Sequence, residues 1–104
     1  MGQTLVLTDQ KRAYTLSDRS TYLAFRSKLQ LEVLCAGDPK LVNQYHVITV
    51  NPEQFPHVNA AGAEAFARFL VSPEAQGIIA RFGADRYGEP LFRPAVEPGA
   101  TPVP

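Results

Sequence analysis

Apolar and polar positions change period several times along the chain, and each change marks an element. Leu5, Val6 and Leu7 precede a polar run from Thr8 to Arg12. That pattern fits either a strand or the last turns of a helix over residues 3–11. Residues 13–16 read as a short buried strand. Ser17 then offers an N-cap, with Asp18 in the first helical turn, where a carboxylate complements the helix dipole. Tyr22, Phe25 and Leu29 recur at helical spacing, so a helix is predicted from Asp18 to about Lys28. From Leu29 the period falls to two: Leu29, Leu31, Val33 and Cys35 share one side of an extended chain. A strand is predicted over residues 30–35, closed by a turn at 36–39. Residues 45–50 form the strongest strand pattern, ended by Asn51-Pro52.

The second half reads as helical. Ala63, Phe66 and Leu70 mark one face of a helix over residues 60–71. Ser72-Pro73-Glu74 restarts the chain as a second helix, with an N-cap, a proline at the first position and a carboxylate behind it. Ala75, Ile78, Ile79 and Phe82 share a face of that helix, and Gly83 is placed to end it. Tyr87 to Pro90 turns, and Leu91-Phe92 is a further short strand. The four prolines of the tail, Pro94, Pro98, Pro102 and Pro104, accompany no periodicity, so residues 94–104 are expected to be extended or disordered. Together these elements predict an α/β fold with a mixed sheet.

At 104 residues the chain suits one small domain or a piece of a larger one. Lysine plus arginine balances aspartate plus glutamate at 10 each. There is no basic field to gather nucleic acid, and no apolar stretch long enough to insert in a membrane. The N-terminus lacks the basic start and cleavage site of a signal peptide, so no export signal is expected in this chain. The lone Cys35 permits no intrachain disulfide and reads as a small apolar strand residue. His46 and His57 have no carboxylate or thiol at metal spacing, so neither a metal nor another cofactor is expected. No nucleophile–base arrangement, glycine-rich phosphate loop or carboxylate pair stands out, and the chain reads as non-enzymatic.

The segment most suited to chemistry is Tyr14 to Tyr22. A helix start exposes unpaired N–H groups and a partial positive charge, which suits a tetrahedral anion. Ser17, Ser20 and Thr21 add hydroxyl donors, Arg19 could donate two parallel hydrogen bonds, and Asp18 could orient Arg19. The same residues also fit a plain helix cap, with Ser17 capping, Asp18 meeting the dipole and Arg19 solvated.

The runs Ala13-Tyr14-Thr15-Leu16-Ser17-Asp18-Arg19-Ser20-Thr21-Tyr22 and Asn43-Gln44-Tyr45-His46-Val47-Ile48-Thr49-Val50-Asn51-Pro52 carry a resemblance. So, more weakly, do Ala65-Phe66, Phe69-Leu70, Ser72-Pro73-Glu74-Ala75-Gln76 and Pro90-Leu91-Phe92. Together they resemble the second half of tungstate-binding proteins of ABC uptake systems, which are periplasmic solute-binding proteins of type II. The resemblance implies a partial periplasmic-binding-protein-like fold, with a small mixed sheet flanked by helices over residues 1–93. That region would be a second-lobe remnant plus a returning first-lobe strand and helices. It makes residues 3–11 the end of a helix. It also implies that the chain is a fragment or the product of a split gene, because nothing here matches the Thr/Ser-rich loop of the first lobe.

Carried over by position, the second-lobe ligand residues are Ser17, Asp18, Arg19, Ser20 and Thr21. Ser17 and Ser20 would be hydroxyl donors and Arg19 the charged partner. The implied ligand is tungstate or molybdate, the implied partner an ABC transporter permease, and the implied location periplasmic or membrane-associated extracellular. With one lobe's ligands missing, weak or undetectable binding by this chain alone is expected. A second reading is a structural remnant that self-associates as a homo-oligomer, with or without strand exchange, or pairs with a separately encoded first half. Its motive is the unpaired apolar edge that residues 45–50 would leave.

Overall fold

The computed structural model describes residues 1–95. The expected disorder of the tail therefore falls, from Val96 onward, outside the described residues. The chain divides into two compact units. One comprises Met1–Asn43 with Gly83–Leu91, and the other Gln44–Phe82 with the chain from Phe92.

In the first unit, α1 spans Gly2–Lys11 and α2 spans Arg19–Phe25, continued by a 3-10 turn at Arg26–Lys28. Residues 3–11 are thus helical, as the resemblance implied. Arg12 ends α1 in the left-handed conformation. The core is small: Leu5 of α1 and Leu23 of α2 are its buried apolar side chains, at 2% and 3% exposure. Thr8 is buried beside them and satisfies its hydroxyl on the Thr4 carbonyl at 2.7 Å. The helices approach closely because residue 2 is glycine; a Cβ there would lie 2.4 Å from Cζ of Phe25. Asp38 caps a second 3-10 turn, Pro39–Leu41, after Gly37 turns the chain with φ 85°. A short α5, Ala84–Tyr87, lies between Gly83 and Gly88, both left-handed. The Arg26 guanidinium donates to the Tyr87 carbonyl at 2.9 Å and fastens that segment beside the end of α2.

The second unit is built on α3, Ala60–Leu70, and α4, Pro73–Arg81. Asn59 caps α3 by accepting from the Gly62 N–H at 2.9 Å. Ser72 caps α4 with Pro73 at the first position, as the sequence predicts. The buried Gln76 donates from its side-chain amide to the Leu70 carbonyl at 2.7 Å, closing the end of α3 from within α4. Phe92 meets Tyr45 edge-on at 5.9 Å and lies 6.2 Å from Phe82.

The expected mixed sheet is absent: no strand forms among the described residues. Residues 13–16 are irregular and open to water, with Tyr14 87% exposed. At the start of residues 30–35, side chains hold the backbone. The Gln30 N–H donates to Asp9 at 2.9 Å, and the Leu31 carbonyl accepts from the Tyr22 hydroxyl at 3.1 Å. Residues 45–50 and 91–92 are likewise irregular. Alternation prepares a segment for a sheet, but a ladder needs a second backbone to supply its N–H and C=O groups. The helices here bring none into place. The helical faces are also more open than periodicity predicts: α3 buries no residue, and of the α4 face only Ala75 is buried.

Candidate functional site

Of residues 17–21, Ser20 and Thr21 gather around the Asp18 carboxylate, whereas Ser17 bonds the Asp18 carbonyl and Arg19 turns to Glu89 rather than to Asp18. The N-cap of α2 is Asp18, one residue later than expected. Its Oδ2 accepts from the Thr21 N–H at 2.9 Å, the Thr21 hydroxyl at 2.6 Å and the Ser20 hydroxyl at 2.7 Å. Ser17 does not cap the helix; its hydroxyl donates to the Asp18 carbonyl at 3.0 Å. Burial raises the Asp18 carboxyl, but hydrogen bonds from Thr21 and Ser20 outweigh it and bring the group down from 3.8 to about 2. Asp18 is therefore ionised throughout the neutral range.

Arg19 is paired rather than free in water. Its Nε donates to Glu89 Oε1 at 2.6 Å and its Nη2 to Oε2 at 3.1 Å. This two-pronged contact joins the α2 start to the segment after α5. The hydrogen bond to Glu89 raises the guanidinium further above its already high range. Sequence reasoning missed Glu89. The pairing spans 70 positions, and nothing local in Gly88-Glu89-Pro90 marks a partner for an arginine so far away.

A hydroxyl has one hydrogen to give. Those of Ser20 and Thr21 are given to Asp18, and that of Ser17 to a backbone carbonyl. Three guanidinium N–H bonds of Arg19 remain beyond the two spent on Glu89. The Arg19 and Ser20 backbone N–H groups lie in the first turn of α2, where a helix offers no acceptor of its own. The donors left for an anion are thus nitrogen-borne, and the Arg19 guanidinium among them stands between two carboxylates, its partner Glu89 and the neighbouring Asp18.

The other candidates gather no chemistry. Cys35 is exposed. His57 packs edge-on against Phe55 at 6.4 Å. Among the described residues, no group of three or more His, Cys, Asp or Glu could hold a metal ion. None of the described helices is long and apolar enough to cross a membrane.

Residues 1–74 match the PBP superfamily domain. The chain belongs to that superfamily. It is 44% identical to a tungstate-binding protein of Peptoclostridium acidaminophilum over 94 residues, covering 90% of this chain and 33% of that protein. It is 48% identical to a Haloferax volcanii protein named for ABC transporter anion binding, over 90% of this chain and 28% of that one. A tungstate-binding protein of Campylobacter jejuni is 30% identical over 88% of this chain and 35% of its own length. The chain thus spans about a third of the curated relatives it matches. By name these relatives are binding proteins, not enzymes. No solved structure gives a significant match.

Proposed function

We propose that this chain supplies part of a binding site for a tetrahedral oxyanion, tungstate or molybdate, in an ABC-type uptake system. The observation that carries this reading is its similarity, over 90% of its length, to a tungstate-binding protein. On this reading residues 1–93 are a C-terminal portion. The rest of the site lies in the two thirds of the relatives that the chain does not span. The protein works at the outer face of a membrane and hands its anion to a permease.

Arg19 is the charged contact, supported by the backbone N–H groups of Arg19 and Ser20. The hydroxyls of Ser17, Ser20 and Thr21 join only after leaving the partners they hold here, and Asp18 governs that exchange. Its one oxygen holds two of the three hydroxyls. Capture is the meeting of preorganised donors with an anion, without bond making or breaking. The second reading is self-association, or pairing with a separately encoded first half. The exposure of residues 45–50 favours it, with Ile48 at 86%.

The test is titration of the isotope-labelled chain with tungstate, read by NMR at the amides of residues 17–21 and at Arg19 Nε. Weak, saturable shifts confined to that cluster are expected, and their loss in Arg19→Ala. Shifts elsewhere, or shifts unchanged in Arg19→Ala, would remove the site assignment. Tight calorimetric binding by a monomer would refute the partial-site reading.

A further inference from the structure

Arg19 meets Glu89 by one edge of its guanidinium. Nε donates to Oε1 at 2.6 Å and Nη2 to Oε2 at 3.1 Å. In a planar guanidinium the Nε–H and one Nη2–H lie parallel on that edge. The second Nη2–H and one Nη1–H lie parallel on the adjoining edge, which these two bonds leave whole. That edge is a two-donor fork of the kind that grips two oxygens of one anion.

Glu89 is itself presented by a braced piece of backbone. Gly83 and Gly88 bracket α5 in the left-handed conformation. Leu91 packs so near Gly83 that a Cβ at residue 83 would lie 2.7 Å from its Cγ. Pro90 restricts the backbone of Glu89 before it. The Arg26 guanidinium holds the Tyr87 carbonyl at 2.9 Å. Arg19 opens α2 and Arg26 caps its end, seven positions apart, so both lie along one side of that helix. Two arginines of α2 thus bind one short segment, Arg19 through a side chain and Arg26 through the backbone. The Arg19–Glu89 pair adds little stability, since its side chains are 50% and 37% exposed.

We propose that Glu89 is the positioning residue of Arg19: it holds the guanidinium by the Nε edge and keeps the Nη1–Nη2 edge ready for two oxygens of the anion. This role rests on the oxyanion reading of Arg19 and adds to it a residue that touches no ligand. An arginine held in this way has given up its rotamer freedom before the anion arrives, which spares that cost on binding. Charge alone argues the opposite, because a carboxylate beside Arg19 repels an anion and its removal should tighten binding. The two effects have opposite signs, so one substitution separates them.

Glu89→Gln keeps the length of the side chain but loses the charge and one of the two acceptors. NMR of the isotope-labelled full chain reads it first without ligand. The Arg19 Nη signals are expected to be split by hindered rotation in the native chain and to merge in Glu89→Gln, with the backbone amide spectrum otherwise unchanged. Titration with tungstate, read at Arg19 Nε, is then expected to show binding about three- to tenfold weaker in Glu89→Gln. Glu53→Gln removes the same charge from the other unit and is expected to change nothing. In an Arg19→Lys background, which keeps the charge but has no fork, Glu89→Gln is expected not to weaken binding. Unchanged or tighter binding in Glu89→Gln, with tungstate shifts still lost in Arg19→Ala, would overturn the positioning role and leave the oxyanion reading standing. Freely rotating Nη groups in the native chain would overturn the role equally. The absence of any saturable shift at Arg19 in the native chain would overturn both.

Discussion

Replacing Asp18 tests both the local fold and the reading of the site. Asp18→Ala removes the acceptor of three hydrogen bonds at the start of α2. Losing an N-cap of this kind costs about 0.5–2 kcal/mol. The depressed carboxyl gives a second route to the magnitude. A fall from 3.8 to about 2 corresponds to about 2.4 kcal/mol at full coupling. Asp18 is only half-buried, so screening by water reduces this to about 1 kcal/mol. The two routes overlap, and Asp18→Ala is expected to destabilise the chain by about 1–2 kcal/mol at neutral pH.

The sign of the pH dependence follows from the direction of the shift. The folded value lies below the unfolded one, so the ionised carboxylate stabilises the fold fully above about pH 4. That contribution is lost as pH falls from about 4 to 2, where the folded group itself takes up a proton. Urea unfolding followed by circular dichroism at pH 6, 4, 3 and 2 measures it. The difference between the native chain and Asp18→Ala is expected to shrink across that window. Asp18→Asn, which keeps an acceptor but no charge, is expected to fall between the two and to remove the pH dependence due to this group. If the native chain and Asp18→Ala lose stability in parallel from pH 4 to 2, the hydrogen bonds do not hold the carboxylate as described.

Three further expectations follow from the packing. Leu23→Ala opens a cavity beside Leu5 and is expected to cost about 2–5 kcal/mol in the same urea assay. Gly83→Ala adds a side chain at φ 84°, where its Cβ would lie 2.7 Å from Cγ of Leu91; a loss of about 1–3 kcal/mol is expected in thermal or urea unfolding. The Arg19–Glu89 pair is two-pronged but half in water, so a double-mutant cycle with Arg19→Ala and Glu89→Gln should return a coupling of no more than about 1 kcal/mol, weaker in high salt.

Helices were legible in this sequence wherever their signals are local. Ser72-Pro73-Glu74 announces α4 because cap, proline and carboxylate all act within one turn. Asn59 and Gly62 fix the start of α3 in the same way, although the sequence pattern alone did not single out that cap. Strands were not legible, because alternation reports a preference for a pleated surface and not the presence of a partner. Residues 30–35 show the difference: where they begin, two backbone groups are taken by the side chains of Asp9 and Tyr22. The site was legible as a cluster but not as a network. Five polar residues in a row at a helix start predict mutual contact. They do not tell whether Ser17 or Asp18 will cap, and the choice of Asp18 reassigns every hydroxyl. Glu89 lay beyond reach altogether, since a partner 70 positions away leaves no trace in local spacing.

That reassignment constrains how an oxyanion could be held. A fully deprotonated dianion brings no proton for Asp18 to accept, and at close range a carboxylate repels it by several kcal/mol at the effective dielectric of a protein surface. Protonating Asp18 would remove the repulsion, but a group that titrates near 2 stays charged at neutral pH. The remaining route is movement. If Asp18 turns outward, the hydroxyls of Ser20 and Thr21 are released together, since one oxygen holds both. The same turn takes the negative charge away from the first turn of α2 and leaves Arg19 shared between Glu89 and the ligand. Two hydroxyl donors gained and one carboxylate withdrawn in a single side-chain rotation would couple capture to the α2 cap. On the proposed oxyanion reading the capping energy would then become part of the ligand's affinity, and Asp18 would set both the stability of α2 and the strength of binding.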